Sequence, residues 1–277
     1  MRFGISTHLY HGQRLEKEHL AQIAGYGFET IELFATRSHL DYHDEAAVAR
    51  LGEWLADTGL TLNSVHAPIT DIFGAAGATT YSTASTVQAA RESTVRETEA
   101  ALRIARQIPY SVMVLHLGTP ASMKQPDDNH RGAAVRSVQE ICRLAEAEGV
   151  KVALEVIPNR LSEPASLVEM LENDLDARNA GICIDFGHAH MMGDVADALE
   201  TVAEHVITTH IHDNNGRDDQ HLVPYLGSID WDLALVTLQK IGYDGTYLME
   251  LAGDHPAGVL EEARRARQRF ERALRYA

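Results

Sequence analysis

Asp185, His188, His190, His210, His212, Asp213, Asp219 and His221 are the residues best suited by type and spacing to do chemistry. They fall in two runs, GICIDFGHAHMMGDV and TTHIHDNNGRDDQHL, each built on an apolar strand-like stretch. Imidazole plus carboxylate is the donor set of divalent metals such as Zn²⁺ and Mn²⁺. Taken alone, Asp-x-x-His marks an N-cap or a turn more often than a metal ligand. The spacing of His210 and His212 puts both imidazoles on one face of a strand. Unpaired there, they would repel when protonated, so the pattern needs partners from elsewhere in the chain.

The elements that must position such partners alternate along the whole sequence. Strand patterns fall at 3–6, 30–34, 62–66, 112–116, 152–156, 181–185, 206–212 and 247–251. Helical patterns fall at 16–25, 46–58, 87–106, 132–148, 164–172, 195–205, 231–241 and 256–276. The strands are short Val/Ile/Leu runs, as in a parallel sheet covered by helices. Eight strand–helix units in about 250 residues predict an α/β fold, a single (β/α)8 TIM barrel occupying one domain, 1–277. The first strand–helix turn lacks Gly-x-Gly-x-x-Gly, which argues against a dinucleotide-binding open sheet.

Active sites of such barrels lie at the C-terminal ends of the strands. From strand three onward those ends carry His66, His116, Glu155, Asp185 with His188, His210 with His212, and Glu250, while Glu32 sits within strand two. A charged group in an apolar strand costs several kcal/mol unless paired or metal-bound. Converging carboxylates would also repel one another without a cation. A bound divalent ion resolves both problems.

Bulk composition narrows the partners. The 277 residues are 45% apolar, with 40 acidic and 24 basic side chains and a formal charge of −16. That balance disfavours nucleic acid, because neutralising phosphates takes Lys and Arg. The Arg-rich last helix is read as a solvated face of Glu–Arg pairs. Trp54 and Trp231 are read as packing residues, and Cys183 as buried. Cys142 and Cys183 form no disulfide framework, and no signal peptide or ~18-residue apolar run is evident. A cytoplasmic location with no membrane partner follows. The stretch 67–86 has little periodicity and is predicted to fold over the site, as loops of that length usually serve function.

The strand-end series His66, His116, Glu155, Asp185 with His188, His210, Asp219-Gln220-His221 and Glu250 resembles the xylose isomerase-like TIM barrel superfamily. That superfamily includes sugar isomerases and epimerases as well as the apurinic-site nuclease endonuclease IV. HIHDNNGRDDQHL and LGSIDW are most similar to its sugar phosphate isomerase/epimerase members. The resemblance to ketose epimerases implies one metal held by Glu155, Asp185, His210 and Glu250. The two glutamates would double as the acid–base pair, with His188 on the substrate. The resemblance to the nuclease implies three zinc ions held by nine residues: His66, His116, Glu155, Asp185, His188, His210, Asp219, His221 and Glu250. His212 matches no ligand of either branch and is placed beside the site.

Two activities follow from that resemblance. The first is a metal-dependent isomerase or epimerase of a small sugar or sugar phosphate. There Glu155 and Glu250 move a proton through a cation-stabilised enediolate, and His188, Arg217 and Glu32 contact substrate. The cofactor is a divalent metal, Zn or Mn with Mg or Co as further candidates, in one to three ions. The second is a multinuclear zinc phosphoesterase of the endonuclease IV type. A homo-oligomer is compatible with both.

Overall fold

A computed structural model describes residues 1–276. Its eight strands are β1 (Arg2–Ser6), β2 (Thr30–Phe34), β3 (Thr61–His66), β4 (Val112–Leu115), β5 (Lys151–Glu155), β6 (Ala180–Asp185), β7 (Val206–His210) and β8 (Thr246–Met249). They run parallel in the order β7-β6-β5-β4-β3-β2-β1-β8. The Ile211–Met249 bridge joins β7 to β8 and completes the ring. The (β/α)8 barrel read from the sequence is the observed architecture.

The helices are α1 (Lys17–Gly25), α2 (Glu45–Thr58), α3 (Gln88–Leu102), α4 (Arg131–Ala147), α5 (Pro164–Glu169), α6 (Phe186–Met192), α7 (Val195–Val202), α8 (Trp231–Lys240) and α9 (Pro256–Tyr276). Their ends follow local chemistry. Asp44 caps α2 by accepting from the Ala46 amide, and Gly59 ends it at φ 72°, a left-handed position that suits glycine. Asp194 and Asp230 cap α7 and α8 in the same way. Inside, strand side chains such as Ile5, Ile31, Val65 and Leu154 are fully buried, and Phe3, Trp231 and Phe270 pack where α9 meets the barrel. Trp231 is thus a packing residue, Trp54 is half-buried on α2, and Cys183 is buried, as expected. Arg264, Arg265 and Arg267 of α9 pair with Glu261, Glu262 and Glu271 along its polar face, and Arg269 lies over the Tyr225 ring. Among the described residues no helix is long and apolar enough to cross a membrane.

Several boundaries differ from the sequence reading. β4, β7 and β8 end before His116, His212 and Glu250, so those residues begin the loops. The segment 186–192, which lies between the strand and helix patterns read at 181–185 and 195–205, is helix α6. The cause is Asp185, whose Oδ1 accepts the His188 amide at 2.7 Å and caps the helix.

A candidate metal centre at the mouth of the barrel

The polar strand ends meet at one mouth in three neighbouring groups. His66, His116 and Glu155 form the first; Glu155, Asp185, His210 and Glu250 the second; His188, His212, Asp219 and His221 the third. Within each group the donor atoms lie within 4.8 Å of one another. Strand register makes this possible, because Asp185 pairs with His210 across β6 and β7, and Glu155 pairs with Cys183 across β5 and β6.

Glu155 is the hub. One carboxylate oxygen meets His66 Nε2 at 3.2 Å and His116 Nε2 at 3.0 Å. The other accepts from His210 Nδ1 at 3.0 Å and faces His188 Nδ1 at 3.6 Å. Glu250 lies 3.4 Å from the same His210 nitrogen. Asp185 Oδ1 accepts the α6 cap, and both its oxygens lie against His212 Nε2, at 3.0 and 3.1 Å.

Four imidazoles share one arrangement, with one ring nitrogen on an anchor and the other aimed at a carboxylate. His66 Nδ1 is anchored to the Ala67 carbonyl at 2.8 Å, and His188 Nδ1 to the Val156 carbonyl at 3.1 Å. His221 Nδ1 is anchored to the Glu250 carbonyl at 3.0 Å. His210 Nε2 donates to Glu32 at 3.1 Å. The free nitrogens of His188 and His221 converge on Asp219, at 3.2 and 3.3 Å. Such anchoring fixes ring orientation and is the usual outer shell of metal-ligating histidines. His221 adopts φ 47°, an uncommon backbone for a non-glycine residue, and its side chain lines the cavity.

The electrostatics are those of a buried charge cluster. Burial pushes the Glu155 carboxyl up, but His210 and His116 outweigh it and hold the group well below the usual carboxylate range. Burial lowers His210, and neighbours including Cys183, Glu32, Glu250 and Glu155 together raise it well above its usual value. His188 is likewise lowered by burial yet raised on balance by Asp185, Asp219 and Glu155. His221 is raised to about 9, where Asp219 overcomes burial.

The donor set fits a divalent metal. Nitrogen and oxygen donors are mixed around small volumes, most of the histidines have their second nitrogen anchored, and Glu250 Oε1 is buried with no hydrogen-bond partner among the described residues. An unpaired buried carboxylate oxygen beside other carboxylates is costly unless a cation faces it.

The remaining sequence candidates divide. His212 lies inside the third group, stacked on His221 at 4.0 Å, rather than beside the site. Its ring packs against Gly187, where an added Cβ would fall 2.0 Å from the imidazole, so close approach requires glycine there. Glu32 is fully buried beneath His210, held by the Ser6 and Ser64 hydroxyls, and does not line the cavity as expected. Arg217 is exposed in a turn fixed by Asn215 and does not reach the cavity, because that loop points it to solvent. His190 bonds Ser228 outside the cluster. Asp213 spends its carboxylate on the amides of Tyr225 and Ile229 and on Trp231 Nε1, tying down the loop before α8.

A cavity of about 590 Å³ opens above the cluster, and His66, His116, His188, Asp219, His221 and Glu250 reach it. Residues of the 67–86 stretch, from Ile69 to Tyr81, form much of its wall, steadied by the Thr70–Thr80 bridge. His8 and His11 also line it, though strand-end reasoning passed them over. His8 stacks on His221 at 4.7 Å and donates from Nδ1 to the Leu251 carbonyl at 3.2 Å. The only sequence signal was His-x-x-His directly after β1, a spacing that a single helical turn puts on one side.

The fold and the histidine–carboxylate mouth define a TIM barrel with a built site. Residues 20–276 match the xylose isomerase-like TIM barrel family, and the chain belongs to that family. An uncharacterized protein of Methanocaldococcus jannaschii is 31% identical over 90% of this chain and 83% of its own length. An inosose isomerase of Bacillus licheniformis is 28% identical over 44% of this chain, a match that spans less than half of that relative, 47%. The solved structure of a D-tagatose 3-epimerase-like protein superposes with a TM-score of 0.81 at 26% identity, covering 100% of this chain and 98% of that one. A D-psicose 3-epimerase from Clostridium cellulolyticum H10 shares the fold with a TM-score of 0.77 at 19% identity over 99% of both chains.

Proposed function

We propose that the protein is a divalent-metal-dependent sugar isomerase or epimerase, with Glu155 and Glu250 as its proton-transfer pair. The observation that carries this is the pair itself: both carboxylates border His210 Nδ1, at 3.0 and 3.4 Å. Glu250 also reaches the cavity and keeps one oxygen free of hydrogen bonds. Isomerases and epimerases among its relatives and structural neighbours support the same class.

Glu155, Asp185, His210 and Glu250 would hold the principal ion, with His66, His116, His188, Asp219 and His221 available for others; Zn and Mn suit the set best. A bound ion supplies Lewis-acid polarisation of a carbonyl. The chain's own groups do the rest. Glu250 takes the proton from the carbon next to the carbonyl, and Glu155 returns one from the other side. His188, 5% exposed at the cavity edge, binds a substrate hydroxyl. The 69–81 wall excludes water and orients the substrate.

A second reading, a multinuclear phosphoesterase, is favoured by one observation. All nine residues of the nuclease-like set are here, in three groups, two sharing Glu155 and the third facing it through His188. The formal charge of −16, and the lack of Lys or Arg among the described residues lining the cavity, weigh against a nucleic-acid substrate. The test is to strip the protein of metal, restore Mn²⁺ or Zn²⁺, and assay a ketose panel beside abasic DNA. Metal-dependent interconversion of a ketose supports the proposal; metal-dependent DNA cleavage alone overturns it.

A further inference from the structure

The wall of the cavity carries information that its floor does not. The floor is polar, made of the histidines and carboxylates described above. The rest of the wall is mainly apolar: Ile69, Ile72, Phe73, Ala75 and Ala78 from the 69–81 stretch are joined by Met123, with Thr70, Thr80 and Tyr81 among them. Ile72, Phe73 and Met123 are 49, 38 and 46% exposed, large apolar side chains left in contact with water. Isolated exposed apolar residues are ordinary on protein surfaces, but these three line one cavity above a polar floor. Phe73 is held in place by the His11 ring, with centroids 3.7 Å apart.

Size points the same way. A cavity of about 590 Å³ lies within the range that encloses drug-sized ligands, roughly 300–1,000 Å³. A free ketohexose seated on the floor would leave the apolar wall facing water. Charge disfavours sugar phosphates: no described lining residue is Lys or Arg, while Asp219 and Glu250 both face the cavity. A phosphate at the far end of the substrate, away from any floor-bound ion, would find no Lys or Arg on the wall to pair with.

We infer that the substrate is an uncharged keto sugar carrying an apolar aryl or alkyl substituent away from the reacting carbons. The sugar lies on the histidine–carboxylate floor, and the substituent lies against Ile72, Phe73 and Met123. This specificity rests on the isomerase/epimerase reading for its chemistry, though not for its binding geometry.

The test uses the full chain restored with Mn²⁺ and three ketoses that differ at C6 only: D-fructose, D-fructose 6-phosphate and 6-O-benzyl-D-fructose. Two readouts are taken, the dissociation constant by calorimetry and deuterium incorporation from heavy water at C3. Burial of a phenyl group against the wall is expected to tighten binding about ten- to a hundredfold over D-fructose, with the phosphate weakest. Ile72→Ser is expected to close much of that gap. Free D-fructose or the phosphate binding as tightly as the benzyl ether overturns the inference, whatever the exchange data show, and so does absence of binding by all three. Tightest binding of the benzyl ether without carbon exchange in any sugar supports the cavity assignment and overturns the isomerase reading instead.

Discussion

His210 Nε2 donates to Glu32 at 3.1 Å, and neither side chain has any exposed surface. A carboxylate in β2 thereby sets the ring of a histidine that ends β7 and turns its Nδ1 toward Glu155 and Glu250. Glu32 is a positioning residue. Glu32→Gln keeps the size and the partners Ser6 and Ser64 but removes the charge. Loss of such an outer-shell carboxylate is expected to weaken metal retention about ten- to a hundredfold, read by competition with a chelator. Unchanged retention would show that Glu32 only fills space.

The number of ions depends on whether the outer histidines bind them. The double substitution His66→Ala and His116→Ala empties the first group but leaves Asp185, His210 and Glu250 intact. Metal analysis by mass spectrometry is expected to show fewer ions per chain with the principal site still filled. A stoichiometry equal to that of the unsubstituted protein would mean that these imidazoles serve substrate or packing alone.

His39 gives the fold an acid-sensitive point outside the metal cluster. It is fully buried, its Nδ1 donates to the Gln13 carbonyl at 2.7 Å, and its Nε2 has no partner among the described residues. Burial depresses its pKa from 6.5 to about 4. The unfolded chain therefore binds this proton more readily than the folded one. The stability it supplies is complete above pH 6.5 and is lost as pH falls toward 4, up to roughly 3 kcal/mol. His39→Asn can keep the bond to Gln13 without the titration. In urea unfolding, the variant is expected to lose less stability than the parent between pH 6.5 and 4.5. Parallel losses in the two proteins would contradict this assignment.

The barrel was legible in the sequence because its signal is repeated: eight apolar runs, each followed by a helical period, and a polar residue at nearly every strand end. Glu155, Asp185, His210 and Glu250 came together because barrel geometry allows strand ends no other destination. What the sequence concealed was short-range chemistry. Asp185 both caps α6 and faces His212, so the cap and ligand readings of Asp-x-x-His are not alternatives. His212 matches no ligand of either branch and is expected beside the site, yet the missing side chain at Gly187 lets its ring into the third group. Arg217 looked like a substrate contact by type, but a turn closed on Asn215 directs it outward. Glu32 looked like pocket lining because periodicity reports which face a residue occupies, not how deep it lies. His8 and His11 follow a strand end by one helical turn, a placement that strand-end reasoning does not search.

The central claim is that Glu250 and Glu155 move a proton at a carbon next to a carbonyl, and solvent exchange tests it most directly. The metal-restored protein is incubated in heavy water with a panel of ketoses, and deuterium at the carbon next to the carbonyl is followed by NMR. Incorporation into at least one ketose is predicted, together with a loss of ~10²–10⁴-fold in that rate for Glu250→Gln while the bound metal is largely kept. No incorporation into any ketose by the metal-loaded protein, or incorporation that Glu250→Gln leaves undiminished, would contradict it.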